Sequence, residues 1–268
     1  MTEFPAAPVG HVRWSSVATF YALACAISWP LFWWRWTDPA GFAAWRPPVP
    51  RHVLYMSGPA IAALVCLRIF RSTHSRTVTL LGSSVLRSLA FWVVPAAILA
   101  AAYATELHRD DGWDRWFGLV TIGFVATLGE EFGWRGFLQD ALRPLSRVRR
   151  YLLLGGMWEA WHFTTRWSDG HVGGAAARVA LAAAVLIVLS WAFGELVDRT
   201  RSVLVAVTLH AWFNLAFEAS SALPGSPIRA GCALVASSGF WWWIVRSWPQ
   251  PPRHEGGADA RASTPRRT

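Results

Sequence analysis

The chain has 268 residues, of which 54% are hydrophobic and only 15% charged, with 19 tryptophans. Too little of it is polar to cover a soluble domain of this length, so an ordinary water-soluble protein is excluded. The net charge of +9 comes entirely from arginine, with no lysine present. These arginines are scattered over loops and the C-terminal tail instead of forming a basic stripe with aromatic platforms, which argues against a nucleic-acid partner and for membrane topology.

A hydrocarbon core about 30 Å thick needs about 20 helical residues to cross it. Apolar stretches near that length recur at 14–34, 53–70, 85–104, 117–139, 151–165, 178–197, 201–219 and 229–247. The expected fold is therefore all-α, a polytopic membrane protein of about eight transmembrane helices. The first stretch contains Ala22-Leu23-Ala24-Cys25, which would suit a lipoprotein cleavage site, but the apolar run continues through Trp34 as a retained span does. The stretches at 53–70 and 85–104 carry no polar motif. The stretch at 151–165 falls short of a full span and contains Glu159 and His162, so it is expected to be a helix surrounded by protein. Connections are short, and residues 14–248 read as one membrane-embedded domain with its motif-bearing core at 117–219. Residues 1–13 form an N-terminal tail, and the Pro-, Gly- and Arg-rich residues 249–268 a disordered basic tail. With eight spans, most arginines, including Arg143, Arg147, Arg149, Arg150, Arg199 and Arg201, lie on the side of both termini, so the positive-inside rule places both ends in the cytoplasm. Cys25, Cys66 and Cys232 lie far apart in apolar stretches and read as small hydrophobes.

Polar groups inside apolar helices are costly, so clusters of them point to function or to a paired network. The fourth stretch holds Glu130-Glu131-Phe132-Gly133-Trp134-Arg135. Positions i and i+4 share a helix face, so Glu131 and Arg135 are expected to pair while Glu130 projects elsewhere, free to act. The fifth holds Trp158-Glu159-Ala160-Trp161-His162, and the seventh His210-Ala211-Trp212-Phe213-Asn214, where His210 and Asn214 share a face. Trp158 either shapes the pocket or simply packs, and Glu159 is expected to pair with Arg166. Among the histidines, only His162 and His210 fall within the apolar stretches; His11, His52, His74, His108, His171 and His254 read as loop or tail residues.

E-E-x-x-x-R, aromatic-x-x-x-H and H-x-x-x-N, in this order on separate apolar helices, resemble the CPBP intramembrane proteases, which include the type II CAAX prenyl endopeptidases and bacterial Abi-type relatives. The resemblance covers roughly residues 117–219 and implies a site made of Glu130, Glu131, Arg135, His162, His210 and Asn214. Trp158 stands where the family often has Phe, and Glu159 where a small or apolar residue is expected.

Peptide hydrolysis needs an activated water, an acceptor for its proton and donors for the oxyanion. Glu130 would act as the base, assisted by His162, with His210 and Asn214 on the oxyanion and Glu131 with Arg135 holding the helix. A zinc ion held by His162, His210 and Glu130 is the competing arrangement, since two His and one Glu with an open position form a catalytic zinc set. The metal-free and zinc versions stand level at this stage. Two other classes remain open: a noncatalytic bacteriocin-immunity or scaffold protein binding through the same pocket, and a proton-coupled transporter. The expected surroundings are membrane lipid and a hydrophobic or lipidated peptide or protein substrate. The missing lysine and short loops fit a bacterial protein, and oligomeric state is not legible.

Overall fold

The structure is a computed structural model describing residues 11–70, 77–102, 112–166, 172–222 and 227–249. It is built of helices: α1 (Trp14–Thr37), α2 (Pro39–Ala44), α3 (Arg51–Met56), α4 (Gly58–Ile69), α5 (Val85–Ala102), α6 (Gly112–Gly133), α7 (Arg147–Arg166), α8 (Val172–Thr200), α9 (Val203–Ala222) and α10 (Pro227–Arg246). Helix α6 runs on through a π turn, Trp134–Leu138, and a last α turn, Gln139–Ala141.

Local chemistry accounts for several boundaries. Helix α1 stops at Asp38, whose carboxylate accepts a hydrogen bond from Gly41 N at 2.9 Å and caps α2, with Pro39 pre-set for the first helical position. Pro59, which lacks an N–H, sits where α3 gives way to α4 at Ser57-Gly58. The stretch expected at 53–70 is thus two helices in line, together Arg51–Ile69.

Four helical stretches among the described residues are long and apolar enough to cross a membrane: Trp14–Thr37, Arg51–Ile69, Val85–Ala102 and Ala176–Thr200. The count of about eight is not reached by this measure. The other expected stretches are also helical, but Glu130 and Glu131 in α6 and Arg147, Arg149, Arg150 and Glu159 in α7 lower their hydropathy, and the described apolar run of α9, Val203–Asn214, is short. His52, read from sequence as a loop residue, lies instead in the first turn of α3 and is half-buried.

Helix α6 lies at the centre, against α3, α4 and α9, while α7 packs on α1 and α8. Trp134 and Trp161 are fully buried with Phe20 and Phe32, joined edge to face: Phe20–Trp134 at 5.4 Å, Trp134–Trp161 at 5.7 Å and Phe32–Trp161 at 5.3 Å. Such pairs contribute about 0.5–1.5 kcal/mol beyond area burial. Trp14, Trp33, Trp242 and Trp243 are exposed, as expected of tryptophans at a lipid interface.

Two glycines bring α6 close to its neighbours. A Cβ on Gly129 would stand 2.9 Å from the Met56 carbonyl oxygen, and one on Gly133 would stand 2.6 Å from Pro59 backbone atoms. Small residues four apart allow helix backbones this approach, and the two flank Glu130 and Glu131. Gly133→Ala should push α6 off α4 and cost about 1–3 kcal/mol. A thermal melt followed by tryptophan fluorescence checks this, and an unchanged midpoint would contradict the packing.

One end of the bundle is tied by a polar clasp. Thr79 and Ser202 form a short parallel bridge between the segment before α5 and the α8–α9 junction, where Arg201 adopts φ 59°. Asp140 accepts from Thr77 N at 2.7 Å and Val78 N at 3.1 Å and pairs with Arg143 at 2.9 Å. Asp198 of α8 is ion-paired with Arg150 and accepts from Tyr151 Oη at 2.8 Å and Gln139 Nε2 at 3.0 Å. The end of α6 is thereby fixed to α7 and α8, which sets the register of the residues one to three turns above it.

Candidate active site

Helix geometry alone sends Glu130 and Glu131 in different directions, and each meets its own histidine. Glu131, fully buried, accepts from Arg135 Nη1 at 2.8 Å, so the expected i, i+4 pair is formed. The same Oε1 lies 2.7 Å from His210 Nδ1 on α9. A buried carboxylate is expensive to desolvate and persists where several donors surround it. Here one oxygen is shared by a guanidinium and an imidazole.

Arg135 sits in the π turn and is also fully buried. Its guanidinium lies 4.1 Å from the centre of the Trp158 ring and 5.3 Å from that of Phe193, and Nη2 donates to Ser190 Oγ at 3.3 Å. Aromatic faces attract a cation through their quadrupole, which partly replaces the lost water. A π turn widens the helix locally and re-aims a side chain, and such turns are frequent at functional sites.

Glu130 is buried on the other side. It accepts from Trp158 Nε1 at 3.1 Å, and its Oε2 lies 3.7 Å from His162 Nε2. That separation is too long for a direct hydrogen bond. His162 Nδ1 is 3.0 Å from the Trp158 carbonyl oxygen. A carbonyl only accepts, so Nδ1 carries a proton, and Nε2 is the ring nitrogen that faces Glu130. The His162 side chain is 12% exposed against 0–6% for Glu130, Glu131, Arg135 and His210, so access is from its side.

The cluster therefore brings together Glu130, Glu131, Arg135, His162 and His210 from α6, the π turn, α7 and α9. Asn214 stands one turn beyond His210, half-buried, and no hydrogen bond joins it to the cluster among the described residues. Trp158 does both things considered for it: it packs, edge to face with His210 at 5.3 Å, and it donates to Glu130. Glu159 is buried, and the side chain of its expected partner Arg166 lies outside the described residues, as do His74, His108, His171 and His254.

Ser190 and Phe193 were not singled out from sequence. Ser190 is a polar residue in the apolar run Val188-Leu189-Ser190-Trp191, which was a usable signal; Phe193 gave none, since its role is to face a cation from another helix.

The zinc arrangement requires three ligands converging on one point. His210 Nδ1 faces Glu131 and His162 Nδ1 faces a carbonyl. Among the described residues no three His, Cys, Asp or Glu are grouped so as to hold a metal ion.

No curated protein matches the chain. Residues 111–216 match the family model described as Type II CAAX prenyl endopeptidase Rce1-like, and the matched stretch includes all of the residues gathered here. A buried glutamate pair, each member facing its own histidine across packed helices, thus lies within the stretch that is similar to the type II CAAX prenyl endopeptidase Rce1-like family.

Proposed function

We propose that the protein is an intramembrane endopeptidase that hydrolyses a peptide bond in a membrane-associated or hydrophobic peptide, with Glu130 as general base and without a metal ion. The observation that carries this reading is the approach of Glu130 Oε2 to His162 Nε2, 3.7 Å apart at the accessible edge of the cluster; in this reading the ring is neutral and its Nε2 an acceptor. Two acceptors that close can hold one water between them.

In this mechanism His162 accepts one hydrogen bond from the water and orients it, while Glu130 removes the other proton. The oxygen attacks the scissile carbonyl carbon and the π pair moves to the carbonyl oxygen. His210, protonated and held through Nδ1 by Glu131, donates from Nε2 to that oxyanion, with the Asn214 amide beside it. Collapse breaks the C–N bond, and Glu130 passes its proton to the leaving amine. Glu131 and Arg135 keep His210 in place and balance its charge.

The substrate is read as a hydrophobic or lipidated segment because the site is set among helices fit for lipid. About eight helices in the membrane with both ends cytoplasmic is the accompanying topology. Detergent-purified protein incubated with a set of lipid-anchored peptides, followed by mass spectrometry, should give discrete internal cleavage products, undiminished by a zinc chelator. Loss of cleavage in chelator with recovery on zinc would overturn the metal-free mechanism. No cleavage of any peptide by folded protein would overturn the peptidase reading and favour a binding role.

A further inference from the structure

The end of the bundle that holds the clasp divides by charge. On the side of α6 and α7 each carboxylate takes an arginine: Asp140 pairs with Arg143, Asp198 with Arg150 and Glu195 with Arg147. On the side of α5 and α10 the sequence supplies no carboxylate. Residues 77–102, 199–214 and 227–249 contain no Asp or Glu, yet they carry Arg87, Arg199 and Arg246. Among the described residues none of these three forms an ion pair.

Packing gathers the three at one place. Ser83, four residues before Arg87, donates from N to the Thr200 carbonyl oxygen at 3.0 Å and accepts at Oγ from Trp248 Nε1 at 2.9 Å. Thr200 follows Arg199, and Trp248 lies two residues after Arg246. Arg199 Nε donates to the Val245 carbonyl oxygen at 3.1 Å, directly beside Arg246. The last turns of α8 and α10 favour the cations they hold, but Arg87 lies in the first turn of α5, where its own helix opposes it. A cation so placed, with no acid beside it, points to an anion from outside the chain.

The depth of the cluster suits a lipid headgroup. Helix α10 turns Trp241, Ile244 and Trp248 onto α5 and leaves Val235, Trp242, Trp243 and Arg246 exposed. At about 1.5 Å per residue, Arg246 stands about 16 Å along the axis from Val235. Half of a hydrocarbon core is about 15 Å, so with Val235 at mid-depth Arg246 reaches the phosphates, and the two tryptophans lie at the interface just below. The Arg246 guanidinium carbon is 4.2 Å from the centre of the Trp242 ring. A guanidinium stacked on a ring keeps its in-plane N–H groups for an oxyanion.

We propose that Arg87, Arg199 and Arg246 form a binding site for the phosphodiester of an anionic phospholipid, with Trp242 and Trp243 against its glycerol and upper acyl chains. The source is lipid and not free phosphate, because the exposed apolar side chains of Val85 and Leu86 next to Arg87, like Val235 on α10, need acyl chains to cover them. The site goes beyond the peptidase reading and does not depend on it.

Native mass spectrometry of the full chain in detergent, titrated with phosphatidylglycerol or phosphatidylcholine, measures the affinity for the first bound lipid. At about fivefold per arginine, phosphatidylglycerol should bind at least about tenfold more tightly than phosphatidylcholine. Arg87→Gln, Arg199→Gln and Arg246→Gln together should lower the phosphatidylglycerol affinity at least about tenfold. Arg68→Gln, Arg147→Gln and Arg149→Gln together remove the same charge from exposed side chains elsewhere and should change it less than about twofold. Equal losses in the two triple variants would show an effect of net charge alone and overturn the site. A wild type with no preference between the lipids would overturn it as well, and that measurement needs no variant to fold. Soluble glycerophosphate should not displace the bound lipid; full displacement would make the ligand a free phosphate and overturn the lipid assignment.

Discussion

Glu130→Gln should lower kcat by about 10²–10⁴-fold while the bundle stays folded. The substitution keeps shape and removes basicity. Trp158 Nε1, 3.1 Å from Glu130 Oε2, can still donate to the amide oxygen, and the Glu131–Arg135 pair is untouched. What disappears is the carboxylate proposed to take a proton from water beside His162. Because the amide is neutral, it also removes a buried charge, so thermal stability should be unchanged or higher. The check is a comparison of initial rates and melting midpoints for purified wild type and variant on the same anchored peptide. Wild-type rates in Glu130→Gln would remove Glu130 from the chemistry, whereas a collapsed melt would make it structural.

Arg135→Leu has the largest expected effect on stability. It leaves Glu131 fully buried with only His210 beside it and strips the cation from the faces of Trp158 and Phe193. Removing one partner of a buried ion pair costs about 3–5 kcal/mol, because the other charge remains desolvated. The double variant Glu131→Leu with Arg135→Leu should recover much of that loss, since two apolar side chains need no mutual compensation, yet it should stay inactive because His210 loses its anchor. Denaturant titrations of the two variants in the same detergent decide the matter. A single variant as stable as the wild type would mean that the Glu131 charge is neutralised elsewhere.

The motif residues were legible because each is polar in an apolar helix, and the cost of placing such groups there marks them without any knowledge of the partner. The i, i+4 rule sufficed for Glu131 and Arg135, whose 2.8 Å pair lies within one helix. Helical, apolar architecture followed from composition and run length. The span count did not, because charges that belong to a protein-enclosed site lower the hydropathy of the helices that carry them, as in α6 and α7.

Contacts between helices were beyond the reach of spacing. That Glu131 takes His210 while Glu130 takes Trp158 and faces His162 depends on how α7 and α9 rotate against α6. Gly129 and Gly133 seat α6 on Met56 and Pro59, and the clasp around Asp140 and Asp198 ties the end of α6 to α7 and α8. His52 illustrates the limit: next to prolines and an arginine it read as a loop residue, whereas it lies in the first turn of α3, a helix packed on α6. The sequence by itself determined which side chains are too polar for lipid, and therefore which residues are candidates for the chemistry. Tertiary structure alone decided which of them meet, because a helix fixes relations only between its own neighbours and the pairing of separate helices is governed by close packing.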